Sequence, residues 1–375
     1  MNERKTRILI SANTSWYVHN FRMSLIDNLK DNGYDVFVAA PQDEFSDRIQ
    51  KSGCAFFPVT LDNKGTNPLR EIKTILDYRK LYSRIRPDLI LHFTPKPNIF
   101  GSLAAQSLNI PCINNIAGLG TAFIRGGLLL RTVRFLYRIS QRHPYRVFFQ
   151  NPDDMKLFIE SGLVKKSKAD LLPGSGVDLE RFSPREKIPN SNVTFLLVAR
   201  LIWDKGVGEF VEAARRVKKY HPESEFQLLG FVDTNNPSAL SEDQIHQWEA
   251  EGILTWHGRT DDVRPYMAEA DCVVLPSYRE GTPKSLLEAA SMAKPLITTD
   301  ATGCREVVDD GINGFLCRLK DYRDLADKMV RMIELGPEAR KEMGRRGREK
   351  MVRKYNEKII FSKYLQVITG GINTR

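Results

Sequence analysis

Two stretches in the second half of the chain carry residue types that could handle a charged ligand. In VARLIWDKG, Val198 to Gly206, an apolar run ends at Arg200, and Lys205 follows where a helical pattern begins. Arginine offers a planar fork of donors and lysine a mobile point charge, a pair suited to gripping a diphosphate that must depart as an anion. The bland reading is two solvated surface cations. In LPSYREGTPKSLLEAASMAKP, Leu275 to Pro295, an apolar run passes through a loop into a helix expected to open after Gly281, Thr282 and Pro283. Pro in the first turn and Thr before it are the start signals. The backbone N–H groups of that turn, at Lys284 and Ser285, would make an anion site. Glu280 on the loop and Glu288 on the helix can flank one ligand, each accepting two hydroxyls of a ribose or pyranose. Otherwise Glu280 only favours the helix dipole and Glu288 is solvated.

Such residues need strands to carry them. At 375 residues the chain is long for one domain, and about 100 to 200 residues per domain suggests two. Strands are expected at 7–11, 35–40, 55–59, 88–93, 112–115 and 146–150, then at 194–199, 225–229, 253–257, 272–276, 296–299 and 314–317. Helices fit near 19–32, 68–86, 98–108 and 128–141, then at 206–220, 262–269, 283–293, 321–335 and 336–354. Continuous apolar strands alternating with helices imply parallel sheets covered on both faces. The expected class is α/β, with two doubly wound, Rossmann-like domains, 1–184 and 185–355, joined at the polar, proline-bearing segment 184–191 and facing each other across a cleft. Ligands gather beyond the carboxyl ends of such strands, where Arg200, Lys205 and Glu280 fall.

Composition removes other classes. With 42% apolar and 27% charged residues the chain is globular rather than disordered. Five scattered cysteines, mostly within apolar runs, indicate neither a disulfide framework nor a CxxC metal site, and point to a reducing, cytoplasmic setting. The start, MNERKTRILISAN, has no apolar leader. No stretch approaches the roughly 18 uninterrupted apolar residues of a membrane span. A dinucleotide-dependent dehydrogenase would show GxGxxG after the first strand, where this chain reads SANTSWY. A nucleic-acid-binding module calls for basic residues interleaved with exposed aromatics, which the second half does not offer.

Arg200 and Lys205, then Glu280 and Glu288 with seven residues between, then TDATGCREVVDDGINGFL from Thr299 to Leu316, resemble the retaining GT-B glycosyltransferases of sequence family four. The likeness covers nearly the whole chain and is most specific over 194–317. In the first half, HNFRMSLIDNLKDNGYDVFVAAPQDEF from His19, FGSLAAQ from Phe100 and NIAGLGTAF from Asn115 are similar to bacterial enzymes that extend undecaprenyl-diphosphate-linked oligosaccharides. The resemblance implies a UDP-sugar donor, carrying N-acetylgalactosamine or another hexose or N-acetylhexosamine, and a polyprenyl-diphosphate-linked glycan acceptor. It puts Arg200 and Lys205 on the diphosphate, Glu288 on the ribose, Glu280 with the backbone from Gly281 to Lys284 on the donor sugar, and the base near Gly258 and Arg259. It implies no metal and no other cofactor, because two cations and a helix N-terminus take the role that Mg²⁺ often fills. A front-face displacement, with the leaving phosphate taking the proton, needs no general base, and no glycosidase-like second carboxylate pair stands out. His257 is read as a strand-end structural residue, the alternative being a catalytic base. A helix from 356 would cross back onto the first domain. The alternatives are a GT-B epimerase or phosphorylase, or a transferase using GDP-mannose.

The chain departs from the family after its first strand. Many members carry a glycine pair there, where this loop reads SANTSWYVHNFR and Asn13, Thr14 and Ser15 would hydrogen-bond instead. His19 would meet the acceptor or pack locally. The turn from Ala117 to Gly120, with Gly118 and Gly120, would bring backbone near the sugars beside Asn115, or is an ordinary loop. Trp16, Tyr17 and Phe123 are read as core or rim packing, the alternative being stacking on sugar or contact with the prenyl chain.

Residues 1–184 hold 26 Lys or Arg against 17 Asp or Glu, and residues 185–375 hold 30 against 29, so +9 of the +10 net charge lies in the first half. No acid occurs between Asp88 and Asp153. Within that stretch LLLRTVRFLYRISQR, Leu128 to Arg142, places Arg131, Arg134, Arg138 and Arg142 on one helical face with Leu128 and Phe135 beside them. This face is either solvated or laid on an anionic membrane surface, and a lipid-linked acceptor favours the second. The expected setting is therefore cytoplasmic, with peripheral attachment to the inner face of the plasma membrane.

Overall fold

Apolar runs such as Ile8 to Ile10, Leu89 to Leu91 and Val273 to Leu275 can be buried on both faces only in a parallel sheet covered by helices. The chain builds two such sheets, with every strand pair parallel. The computed structural model describes residues 4–61, 67–119, 123, 127–187, 192–234 and 236–372. It divides into two compact units, Met1–Ser175 with Lys358–Arg375, and Gly176–Glu357.

The first unit runs β1 (Arg7–Ser11), α1 (Ser15–Asp31), β2 (Asp35–Ala40), α2 (Ser46–Lys51), β3 (Ala55–Pro58), α3 (Pro68–Ile85) and β4 (Leu89–Phe93). A π-helical turn, Pro97–Gly101, leads into α4 (Ser102–Ser107), followed by β5 (Cys112–Ile116), α5 (Gly127–Ser140), β6 (Arg146–Phe149), α6 (Pro152–Glu160) and β7 (Ala169–Leu171). The strand order is β3-β2-β1-β4-β5-β6-β7, so the winding reverses between β1 and β4. Helix α1 packs with Val18, Leu25, Ile26 and Leu29 against one side of the sheet. Helices α3 to α6 cover the other side with Tyr78, Tyr82, Ala104, Tyr137 and Phe158.

The second unit runs β8 (Thr194–Val198), α7 (Val207–Lys218), β9 (Glu225–Leu229), α8 (Glu242–Ala250), β10 (Thr255–Trp256), α9 (Arg264–Glu269), β11 (Cys272–Leu275), α10 (Lys284–Ser291), β12 (Leu296–Thr299), β13 (Gly314–Cys317), α11 (Tyr322–Glu334) and α12 (Gly336–Lys350). The order β10-β9-β8-β11-β12-β13 reverses between β8 and β11. The last helix, α13 (Glu357–Ile372), sets Ile360, Phe361, Tyr364 and Ile368 into the core of the first unit. That i, i+4, i+8 stripe is what amphipathic docking requires.

Several boundaries differ from those read in the sequence. The units divide at Ser175 and Glu357 rather than at 184–191, of which 188–191 lie outside the described residues. Residues 176–187 are tied to the second unit. The Val177 N–H donates to Tyr355 O at 2.8 Å, and Phe182 is buried. The carbonyl of Phe182 accepts from Ser291 Oγ at 2.8 Å and from Arg348 Nη1 at 2.9 Å. A polar segment can thus belong to a domain through backbone pairing that leaves no apolar pattern. Strand β10 is two residues long instead of five, β7 is an additional half-buried edge strand, and α2, α6 and α8 are short helices absent from the sequence reading. All five cysteines are buried and free, and burial pushes the thiols of Cys304 and Cys317 up to about 12.

Candidate functional site

In open parallel sheets the crevice forms where the winding reverses, beyond the strands' carboxyl ends. In the second unit that point lies between β8 and β11, and the loops leaving these two strands carry Lys205 and Glu280. The loop after β8 ends in a 3₁₀ turn, Trp203–Lys205, and Gly206, at φ 74°, opens α7. Lys205 Nζ pairs with the Glu280 carboxylate, and the two side chains are only 17% and 14% exposed. Backbone holds the loops in register. The Tyr278 N–H donates to Asp204 O at 2.9 Å, and Ser277 Oγ donates to the same carbonyl at 3.2 Å. The Glu280 N–H donates to Thr302 O at 2.9 Å, and a Cβ on Gly303 would stand 2.2 Å from Glu280 O. Arg200 is held separately by Asp233 at 2.9 Å and is more exposed. Each sequence-read cation therefore has an internal acid, and Asp233 was not among the expected residues.

Helix α10 starts one residue later than expected, with Pro283 as N-cap and Lys284 as its first residue. Proline brings no capping side chain, and its carbonyl accepts from the Leu286 N–H at 3.1 Å. Lys284 and Ser285 therefore do open the helix, with Gly281 and Thr282 in the approach, but the cap is not Thr282. Glu288 is 9% exposed, not solvated, and Lys284 Nζ lies 3.6 Å from it. Burial pushes the Glu288 carboxyl up, against the pull of Lys284 and of Arg181, another residue absent from the sequence reading. Gly258 and Arg259 follow β10. The Gly258 carbonyl accepts from the Gly230 N–H at 2.9 Å, and the Arg259 guanidinium sits 5.9 Å from the Phe231 ring. His257 shares a hydrogen bond of 3.1 Å with Gln227, and its ring centroid lies 4.8 Å from that of Tyr266. Burial holds its pKa down, consistent with a neutral packing role.

In the first unit the expected loop residues are engaged internally. Thr14 caps α1 by accepting from the Tyr17 N–H at 3.1 Å. The Ser15 and Trp16 N–H groups in the first turn donate to the Asp43 carboxylate at 3.1 and 3.2 Å. The positive end of the helix is thus already met by a carboxylate of this chain. Asn13 bridges to Thr94, whose Oγ1 accepts from the Asn13 N–H at 2.9 Å and donates to its Oδ1 at 2.8 Å. Thr94 has φ 70°, an outlier for a β-branched residue at the switch between β1 and β4. His19 packs on Phe45 with ring centroids 5.3 Å apart. The Asn115 side chain is buried, accepts from Tyr364 and donates to His92 O at 3.2 Å. Gly118 is described at φ 134°, while Gly120 and the Leu128 side chain lie outside the described residues. Phe123 packs on Phe158 and Tyr137.

Helix α5 presents Arg131 and Arg138 outward with Arg134 half-buried, and Phe135 beside them is exposed. The helix ends at Ser140, so Arg142 lies just past it. Gln141 anchors that end by accepting from Asn114 Nδ2 at 2.8 Å and donating to Asn98 O at 2.9 Å. Among the described residues, no helix is long and apolar enough to cross a membrane, and no three His, Cys, Asp or Glu side chains gather as metal ligands.

Residues 7–151 match the family described as Glycosyl transferase 4-like, and residues 192–335 match Glycosyl transferases group 1, so strands β1 to β6, strands β8 to β13 and both switch-point loops fall within glycosyltransferase families. The chain is a GT-B glycosyltransferase. This glycosyltransferase is 29% identical over 367 residues to the N,N'-diacetylbacillosaminyl-diphospho-undecaprenol alpha-1,3-N-acetylgalactosaminyltransferase of Campylobacter jejuni, covering 93% of this chain and 95% of the relative. It is 26% identical to the UDP-Gal:alpha-D-GlcNAc-diphosphoundecaprenol alpha-1,3-galactosyltransferase of Escherichia coli over 77% of each. Among solved structures, Anabaena HepE in complex with UDP and glucose superposes with a TM-score of 0.80 at 18% identity, over 97% of this chain and 100% of that one, which shows the shared fold.

Proposed function

We propose that this glycosyltransferase moves a sugar, N-acetylgalactosamine or another hexose or N-acetylhexosamine, from a UDP-sugar to an undecaprenyl-diphosphate-linked saccharide, with retention and without a metal. The observation that carries the reading is the Lys205–Glu280 pair at the switch point between β8 and β11, with α10 opening immediately after it. The donor diphosphate would take Lys205 and Arg200 in exchange for their internal acids, and the freed Glu280 would accept donor-sugar hydroxyls. Glu288 would hold the ribose. The acceptor hydroxyl oxygen bonds to the anomeric carbon as the bond from that carbon to the β-phosphate oxygen breaks. Its proton passes to the departing phosphate, so no side-chain base is needed. Placed cations stabilise the charge that develops on the leaving group, which is where electrostatic catalysis acts most strongly. The relatives that act on diphosphoundecaprenol-linked sugars support the acceptor class.

The test offers a panel of UDP-sugars and GDP-mannose with a short-chain prenyl-diphosphate sugar and follows nucleotide release and product. UDP release that depends on the acceptor is expected. Release of GDP from GDP-mannose alone among the donors would replace UDP in the reading. Sugar-nucleotide isomers formed without acceptor, or sugar phosphate formed with inorganic phosphate, would replace transfer by an epimerase or a phosphorylase.

Attachment to the cytoplasmic face of the plasma membrane through the arginine face of α5 belongs to the same proposal. Each basic residue near an anionic surface contributes about 1 kcal/mol. Changing Arg131, Arg134 and Arg138 together to Glu is expected to weaken binding to anionic vesicles by on the order of a hundredfold. Activity on a short, soluble acceptor should be spared. Equal vesicle binding in a sedimentation assay removes the α5 face from the proposal.

A further inference from the structure

Helix α3 lays Tyr78, Tyr82 and Ile85 on the sheet and turns Leu69, Ile72 and Leu76 directly outward, exposed by 77%, 55% and 56%. These three fall at i, i+3 and i+7, one ridge on the face opposite the core. Soluble proteins rarely line up large apolar side chains in solvent without a partner for them. Lys73, Arg79, Lys80 and Arg84 are exposed along the same side of the helix. Its two acids stand off the ridge: Glu71 is paired with Lys96, and Asp77 is half-buried. Helices α3 and α5 cover the same side of the first sheet and both pack on the turn Pro97–Gly101, so their outer faces point away from the sheet in the same sense.

We propose that the Leu69–Ile72–Leu76 ridge inserts into the headgroup and acyl boundary of an anionic bilayer, a second contact beside the arginine face of α5. The inference rests on the membrane attachment proposed above and adds an apolar component to it. Apolar side chains fringed by lysine and arginine on a surface helix match that boundary in both polarity and charge. A second copy of the chain is the poorer partner. A twofold contact through α3 would bring its cations against themselves, in the half that carries +9 of the net charge.

The test uses the full chain and vesicles of phosphatidylglycerol and phosphatidylcholine, with pure phosphatidylcholine as the neutral arm. Since all five native cysteines are buried, a Leu76→Cys variant can be labelled at one site with an environment-sensitive fluorophore. A blue shift on anionic vesicles, quenched by spin-labelled acyl chains, is the expected result. A combined Leu69→Gln, Ile72→Gln, Leu76→Gln variant should bind at least about tenfold more weakly in high salt, where the charge component is screened. The Arg131, Arg134 and Arg138 change should instead act mainly in low salt. Vesicle binding that persists with no shift at position 76 overturns the inserted ridge and leaves the α5 face standing. No vesicle binding by the unaltered chain overturns both. A shift that appears with rising protein concentration and no lipid, accompanied by dimers in sedimentation, assigns the ridge to self-association and overturns the bilayer contact.

Discussion

Lys205→Ala is expected to lower kcat by roughly 10²- to 10³-fold while the protein stays folded. Lys205 is the cation held closest to Glu280, and it stands where the winding of the second sheet reverses. If it neutralises the departing diphosphate, its contribution grows as the bond to the sugar lengthens, so the loss appears in kcat more than in KM. The substitution also takes the Lys205 ammonium away from Glu280, whose side chain is 14% exposed. The stability cost should fall between the ~1 kcal/mol of a surface pair and the ~3–5 kcal/mol of a fully buried one. A second change separates the two effects. In a Lys205→Ala, Glu280→Gln protein no carboxylate has lost its cation, so denaturant stability should return toward that of the unaltered chain while turnover stays low. Initial rates of nucleotide release beside urea denaturation make the comparison, and unchanged transfer by folded Lys205→Ala protein would remove Lys205 from the proposed leaving-group site.

How much of this site was legible depended on which interactions a linear pattern can express. The apolar runs of β8 and β11 placed Arg200, Lys205 and Glu280 at strand mouths, with Glu288 on the helical pattern that follows, because burial on both faces is written directly into such runs. Partner choice is a different matter. Asp43 reaches the first turn of α1 only because β2 lies beside β1, an adjacency that no spacing between residues 15 and 43 reveals. The family resemblance put Asn115 beside the sugars at the turn after its strand, yet its side chain is buried. Here Tyr364, from the far end of the chain, supplies a buried partner, and a satisfied amide can be interior. Pro283 and Thr282 follow the same logic. Both are start-signal residues, and the helix opens at Lys284 with Pro283 as its cap.

The same loop is locked from its other side by a backbone contact, which sets the second large expectation. Gly206→Ala should destabilise the second unit by roughly 3–5 kcal/mol and misplace Lys205. Gly206 has φ 74°, and a Cβ there would stand 2.1 Å from Pro276 O and 2.7 Å from Pro276 C. A left-handed alanine alone costs about 1–2 kcal/mol. Overpacking adds about 1–3 kcal/mol, toward the upper end because the obstacle is a backbone carbonyl rather than a side chain that can turn away. Nor can the two loops part freely, since Tyr278 N and Ser277 Oγ both bond Asp204 O across the same junction. Any relief must carry Lys205, the residue before Gly206, away from Glu280. Gly252→Ala is the matched control, because its φ is 69° and a Cβ there meets nothing within 4 Å. It should show only the conformational cost of ~1–2 kcal/mol and normal turnover. Gly206→Ala should melt roughly 10 °C lower and lose activity even well below its melting temperature. Equal melting shifts for the two variants would mean that the Pro276 carbonyl does not set the spacing of the Lys205 and Glu280 loops.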